Sequence, residues 1–280
     1  MEILNRWDEK IFFCNYWGKK PCLIRDVVES SFIKSLDINE LSSLSIEEDI
    51  VSRIINFNLK SPDQIKLKHG PFKAEELTKL PQKEPWSLLI QDVDKKTNLF
   101  DSFLSTFSKI PSEYFDDIMA SIGNLNSTTG PHLDWYSVFI LQTNGSKNWK
   151  IEKNQRTYEE HDNSLLDIQE LKILSNLNEH YEHELLPGEM LYIPPGHGHF
   201  GVSTSELSMS FSVGFQGPRI ITLIETYLSN ILRNIHEDMR VNYLPGKDSS
   251  INLENWPKEI EIKNVKDIEA LIKLAKEQDY

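Results

Sequence analysis

Between about residues 116 and 215 the chain is a series of short runs, "DIMASIG", "YSVFILQ", "KNWKIE", "EMLYIPP" and "LSMSFSVGF", divided by turn signals. Runs this rich in β-branched and aromatic side chains fit the pleated surface of a sheet. One polar insert (about 152–183) interrupts them. This texture commits the middle of the chain to a β-barrel or double-sheet core. Ahead of it, "WDEKIFFCNYWGKKPCLIRD" reads as an amphipathic helix, a stop at Lys19-Lys20-Pro21 and a strand "CLIR". "LKHGPF" reads as a turn and "PWSLLIQDV" as a strand. After Pro218, "RIITLIETYLSNILRNI" carries apolar residues at three-and-four spacing, and "VKDIEALIKLAKEQ" predicts a second helix. The expected division is a β-rich domain over 1–216 and a helical region over 217–280.

Composition narrows the function classes. The formal net charge of −13 disfavours a nucleic-acid binder that works by neutralising phosphates, and suits a basic partner or simple solubility. No apolar run is long enough to span a membrane. The start, "MEILNRWDEK", lacks a signal-peptide pattern, and Cys14 and Cys22 make neither a CxxC nor a disulfide framework. A reducing cytoplasm is the expected location.

"TGPHLDWY" places His132 and Asp134 two residues apart, just ahead of the run "YSVFILQ". In a strand, such residues project to one face. A lone HxD is weak evidence, but "PGEMLYIPPGHGHFG" supplies a partner. Gly188, five residues, Pro194, one residue, Gly196, two residues and His199 resemble the second cupin motif, whose closing histidine binds metal. Two histidines and a carboxylate leave three positions open on Fe(II). His197 shares this loop; the turn spacing favours His199, and His197 is left to line the entrance or face solvent. His180 and His183, in the charged "NEHYEHE", read as a solvated face.

"VFILQTNGSKNWKIE" reads as a hairpin turning at Asn144-Gly145. Beyond the turn, Lys147, Trp149 and Ile151 share the face expected to point inward. A buried ammonium needs an anion to offset its desolvation, and the distal carboxylate of 2-oxoglutarate would serve. The alternative is that Lys147 snorkels from the turn to water.

"GPHLDWYSVFILQTNGSKNWKI", "LLPGEMLYIPPGHGHFG" and "SFSVGF", with the earlier "YWGKKPCLIR", "SRII", "KHGPF" and "WSLLIQDV", resemble the JmjC-type ribosomal oxygenases of the cupin superfamily. The likeness is to the bacterial branch that hydroxylates an arginine of large-subunit ribosomal protein L-sixteen, and it covers roughly residues 7 to 245. It implies a double-stranded β-helix core with mixed α/β elements before it and a helical dimerisation region after it. The winged-helix region that bacterial members carry further on is expected to be absent here. The resemblance also implies Fe(II), O2 and 2-oxoglutarate as cofactor and co-substrates. Metal ligation then falls to His132, Asp134 and His199, and the 2-oxoglutarate anchor to Lys147, where the branch commonly has arginine. Asp117, Tyr136 and Ser212 would surround the target guanidinium, with Met119 nearby; without the resemblance, the alternative for Asp117 is a surface residue of the pair Asp116-Asp117. Ser210 stands near the co-substrate where the family usually has asparagine, and Ser137 stands where the branch often has aspartate.

The expected activity is hydroxylation of an arginine β-carbon in a basic ribosomal protein by a homodimer that touches neither membrane nor nucleic acid directly. A histidyl hydroxylase, an N-methyl-lysine demethylase and an inert metal-binding cupin are the rival readings.

Overall fold

The apolar run at 137–144 folds as a strand buried on both faces, and that double burial organises the molecule. The computed structural model describes residues 1–57, 65–168 and 171–233. In chain order its strands are β1 (Glu2–Leu4), β2 (Cys22–Ile24), β3 (Ser52–Asn56), β4 (Lys66–His69), β5 (Ser87–Ile90) and β6 (Phe115–Asn124). There follow β7 (Ser137–Asn144), β8 (Lys147–Glu152), β9 (His180–Leu185), β10 (Met190–Ile193), β11 (His199–Ser203) and β12 (Leu207–Phe215). One sheet runs β1-β2-β10-β7-β12-β6-β5-β3-β4, and a smaller one runs β11-β8-β9.

Two packing layers explain why the central strands carry so few exposed polar residues. Phe139 and Leu141 of β7, Ile118, Ala120 and Ile122 of β6, and Met209, Phe211 and Val213 of β12 point to an outer core. The helix Glu9–Asn15 covers that face: the Phe12 ring lies 5.4 Å from Phe139 and 4.8 Å from Tyr192, centre to centre. Asp8 caps the helix by accepting from the Ile11 N–H, a contact worth about 1 kcal/mol. Val138 and Ile140 point the other way, into a second core with Trp149 and Ile151 of β8 and Leu185 of β9. The two sheets therefore close on each other as a double-stranded β-helix.

On β6 and β12 the inner face changes character. Asp117, Met119 and Ser121 alternate with the apolar outer residues of β6, and Ser210 and Ser212 do the same on β12. Because side-chain direction has period two, this polar set is placed on the inside by register alone.

Four expectations need correction. β7 and β8 do not form a hairpin, because they belong to different sheets. Gly145, at φ +59°, carries the chain across from one to the other, held by Ser146 N–H to Ser205 Oγ (2.8 Å) and Thr204 N–H to Ser146 O (3.0 Å). Pairing of β8 with β11 and β9 outweighs the local turn preference. The polar insert holds the helix Tyr158–Ser164 and strand β9, so His180 and His183 sit in a strand and are half-buried. "LKH" belongs to β4, paired antiparallel with β3, and only the residues after it turn. His132 lies outside any strand and reaches its neighbour through an isolated bridge.

The chain divides into two compact units after Gly217. Helix Ile220–Leu232 is the described element of the second; the segment "VKDIEALIKLAKEQ" lies outside the described residues. Among the described residues no helix is long and apolar enough to cross a membrane.

Candidate functional site

His132 and His199 form a two-residue antiparallel bridge, with His132 N–H to His199 O at 3.0 Å and His199 N–H to His132 O at 2.8 Å. Backbone pairing thus sets two side chains 67 positions apart side by side, ring centres 4.3 Å from each other. Asp134 Oδ2 lies 3.7 Å from His199 Nε2, and one ligand atom from each of the three residues falls within 4.8 Å of the others. Each imidazole donates its Nδ1–H to a carbonyl, His132 to Gly130 O (2.9 Å) and His199 to His197 O (3.0 Å). Those bonds fix the tautomers and leave both Nε2 lone pairs free for a metal. Burial, and then the His132 charge, hold the His199 basicity well below the usual histidine range against the pull of Asp134. Histidine ligates a metal in its neutral form, and this donor set suits Fe(II) with coordination positions to spare.

His197 is a correction. It is buried rather than solvated, its Nδ1–H donates to Pro195 O (3.2 Å), and it is not one of the three clustered ligands.

The three ligands line a cavity of about 190 Å³, many times the roughly 10–15 Å³ that one water needs. The residues expected to meet the co-substrate and the guanidinium line it as well: Lys147, Ser210, Asp117, Met119, Tyr136 and Ser212. Lys147 is 7% exposed, so it does not snorkel to water. Its ammonium donates to Ser121 Oγ (2.9 Å) and Ser210 Oγ (3.2 Å), and among the described residues it has no carboxylate partner. Burial lowers its pKa from the ordinary 10.5 to about 8. Nearby on the same wall, the Trp149 indole N–H is buried with no hydrogen-bond partner among the described residues. A cation, two hydroxyls and an unpartnered indole N–H thus line one cavity. That fits the terminal carboxylate of a small diacid, the group expected beside the metal.

The rest of the wall is more open. Asp117 is half-buried and Asp116 exposed, and both line the cavity. Burial raises the Asp117 pKa to about 6; an N–H from Asp92 opposes this, and the charges of Asp116, Asp92 and Asp94 add to it. Burial likewise pushes the Tyr136 phenol up, with the Asp134 charge adding, so it stays a neutral donor. Sequence reasoning missed Ser121 and Arg53, both of which line the cavity. Ser121 was within reach, since it follows Asp117 and Met119 at period two. Arg53 arrives from β3, and nothing local announces that the sheet brings it there.

A double-stranded β-helix holding two histidines and a carboxylate around an open cavity is the architecture of JmjC-type cupins. Residues 102–223 match the JmjC domain. The chain is 31% identical over 238 residues to the ribosomal protein uL16 3-hydroxylase of Escherichia coli, covering 85% of this chain and 59% of the relative. It is 29% identical over 217 residues to a probable ribosomal oxygenase of Haemophilus influenzae, covering 77% and 51%. The chain thus spans a little over half the length of these curated relatives. The X-ray structure of E. coli ycfD superposes with a TM-score of 0.71 at 26% identity, over 99% of this chain and 69% of the other. A structure of the ribosomal oxygenase YcfD with cobalt and 2-oxoglutarate shares the fold, with a TM-score of 0.68 at 24% identity, over 98% and 67%.

Proposed function

We propose that this chain is an Fe(II)- and 2-oxoglutarate-dependent protein hydroxylase that acts on the β-carbon of an arginine in a ribosomal protein. The substrate protein we assign is uL16, for which the E. coli relative is named. The observation that carries the reading is Lys147: a buried ammonium, bonded only to hydroxyls among the described residues, in the same cavity as a ready-made metal triad. A structural lysine would find a carboxylate; this one faces a space where a carboxylate fits.

His132, Asp134 and His199 would hold the metal, each histidine aimed by its own carbonyl contact. Bound iron, with O2 and 2-oxoglutarate, supplies the oxidising power to hydroxylate an unactivated carbon. The rest of the work falls to this chain's side chains. Lys147, Ser121 and Ser210 grip the far carboxylate of the co-substrate and so fix its distance from the metal. Val138 and Ile140 exclude water from the inner wall, where they also line the cavity. Asp117 pairs with the incoming guanidinium, Tyr136 lies against it and the Ser212 hydroxyl fixes its plane, so that one carbon of the arginine is held toward the metal. The charge of −13 steers a basic polypeptide toward such a mouth rather than a nucleic acid.

The assay is incubation with Fe(II), 2-oxoglutarate, O2 and peptides from ribosomal proteins. Expected are succinate and a +16 shift on one arginine. A +16 shift on histidine, or loss of methyl groups from lysine, would overturn the substrate assignment, and no succinate at all would overturn the enzyme. Such a reaction belongs in the cytoplasm with the ribosome. Helix Ile220–Leu232 exposes Ile220, Ile221, Leu223 and Ile224, a face we assign to a homodimer. Solution mass by light scattering tests it, and a monomer at micromolar concentration would refute it.

A further inference from the structure

Glu152, the last residue of β8, is wholly buried together with Arg156, and neither lines the cavity. Arg156 Nε lies 3.1 and 2.9 Å from the two carboxylate oxygens, and Nη2 lies 2.5 Å from one of them. Two backbone N–H groups donate to the same carboxylate, from Asn178 (2.6 Å) and from Gly198 (3.2 Å). Arg156 Nη2 also donates to Asn176 O at 2.8 Å. Both carboxylate oxygens, and the Nε and Nη2 of the guanidinium, are therefore satisfied.

The backbone ties run from this pair to the triad. Glu152 N–H donates to Gly198 O (2.8 Å), and Arg156 N–H donates to Gly196 O (2.8 Å). Gly196 N–H in turn donates to Asp134 O (2.7 Å), while Gly198 immediately precedes His199. One ion pair is thus connected within a few bonds to two of the three metal-ligand candidates. The two glycines of "PPGHGH" have a reason here. A Cβ on Gly198 would meet the Glu152 carboxylate at 2.7 Å, and Gly196 sits at φ +74°. The loop carries no side chain where the pair must press against it.

A buried ion pair is a weak source of stability, since well-packed apolar residues of similar volume hold a fold equally well. What such a pair does supply is fixed geometry. We propose that Glu152 and Arg156 act as a positioning clamp that holds His199 and Asp134 at metal-binding separation, so that metal affinity depends on the pair more than folding does. The proposal rests on the metal reading above.

The test is a Co(II) titration of the full apo-protein without co-substrate, followed by the visible absorption of the bound ion and paired with thermal unfolding. Glu152→Gln and Arg156→Met are expected to weaken Co(II) about 10- to 100-fold and to alter the absorption band. Arg156→Lys, which keeps the charge and loses the fork, should recover part of that loss. The deciding variant is the double change Glu152→Gln with Arg156→Met, which removes both charges and keeps an acceptor for the Asn178 and Gly198 N–H groups; it is expected to unfold near the wild-type temperature yet bind Co(II) as poorly as the single changes. Gly198→Ala, which leaves both charged residues in place and crowds the carboxylate, should weaken Co(II) as well, and it carries the test if the single variants fail to fold. A double variant with wild-type Co(II) affinity and spectrum would overturn the clamp while leaving the metal site standing. A wild-type protein indifferent to Co(II) would overturn both.

Discussion

The two ends of the cavity are built differently. At the metal end, Lys147 on β8, His199 on β11 and Ser210 on β12 are buried, His132 and Asp134 are half-buried, and His132 is locked to His199 by paired backbone bonds. At the mouth, Asp117 and Tyr136 are only half-buried, and Asp116 and Arg53 line the cavity beside them. The deep end is organised to hold one geometry, in a medium where charges act strongly. On the proposed function, the mouth attracts and sorts the substrate, in contact with water that screens it. Changes at the deep end should therefore remove the chemistry, whereas changes at the mouth should alter which polypeptide is accepted.

The sharpest contrast is expected from Asp134→Ala. It removes one of three ligand candidates, and succinate formation should fall below detection, with or without peptide. Persisting turnover measured by mass spectrometry would break the division at its strongest point.

Lys147→Met comes next, and it should move two quantities in opposite directions. The KM for 2-oxoglutarate should rise about 10- to 100-fold, the usual loss for a charge-assisted contact. The apo-protein should become more stable, because the folded-state pKa of about 8 lies below the unfolded value near 10.5. Below pH 8 the ammonium is charged in both states, and its burial costs on the order of 3 kcal/mol. Above pH 8 the folded state sheds the proton first, so the cost fades and is gone as pH passes the unfolded value. Chemical denaturation at pH 7 and pH 10 should accordingly show a large gain from the substitution at the first and a small one at the second. Equal stability of the two proteins at pH 7 would mean that Lys147 serves the fold.

Asp117→Asn probes the mouth. Peptide KM should rise about 10- to 100-fold while the KM for 2-oxoglutarate stays put. With a pKa raised to about 6, Asp117 carries its charge only above that value. Wild-type kcat/KM for an arginine peptide should therefore climb as pH rises through about 6, and the variant should lose that step. Parallel loss for peptide and co-substrate would erase the distinction between the two ends.

How much of this was legible before the fold was known follows the same division. The deep end was readable because its residues sit in two short motifs and in strands whose period-two alternation sends Lys147 inward with Trp149 and Ile151. The hairpin at Asn144-Gly145 misled for a definite reason: a two-residue turn specifies local direction, while the sheet a strand joins is decided by distant partners such as His199 opposite Ile151. The same limit hid Arg53, delivered by β3, and His197, whose burial depends on how the 194–199 loop packs against the end of β8. The pattern Glu152-x-x-x-Arg156 looks like an ordinary surface pair at four-residue spacing, and only burial gives it a different meaning.

The smallest expected effect tests how finely the mouth sorts. Ser212 faces the cavity from β12 opposite Met119 of β6, and its hydroxyl is the one neutral group we assign to the guanidinium plane. Ser212→Ala keeps the strand, the volume and the charge pattern, so its loss is one uncharged contact of about 0.5–1.5 kcal/mol, or about two- to tenfold in peptide kcat/KM. Discrimination should shrink with it: a lysine peptide, which lacks a plane to fix, should be affected less than an arginine peptide. Equal losses for both would show that Ser212 packs the wall and reads nothing, leaving the sorting to the Asp117 charge.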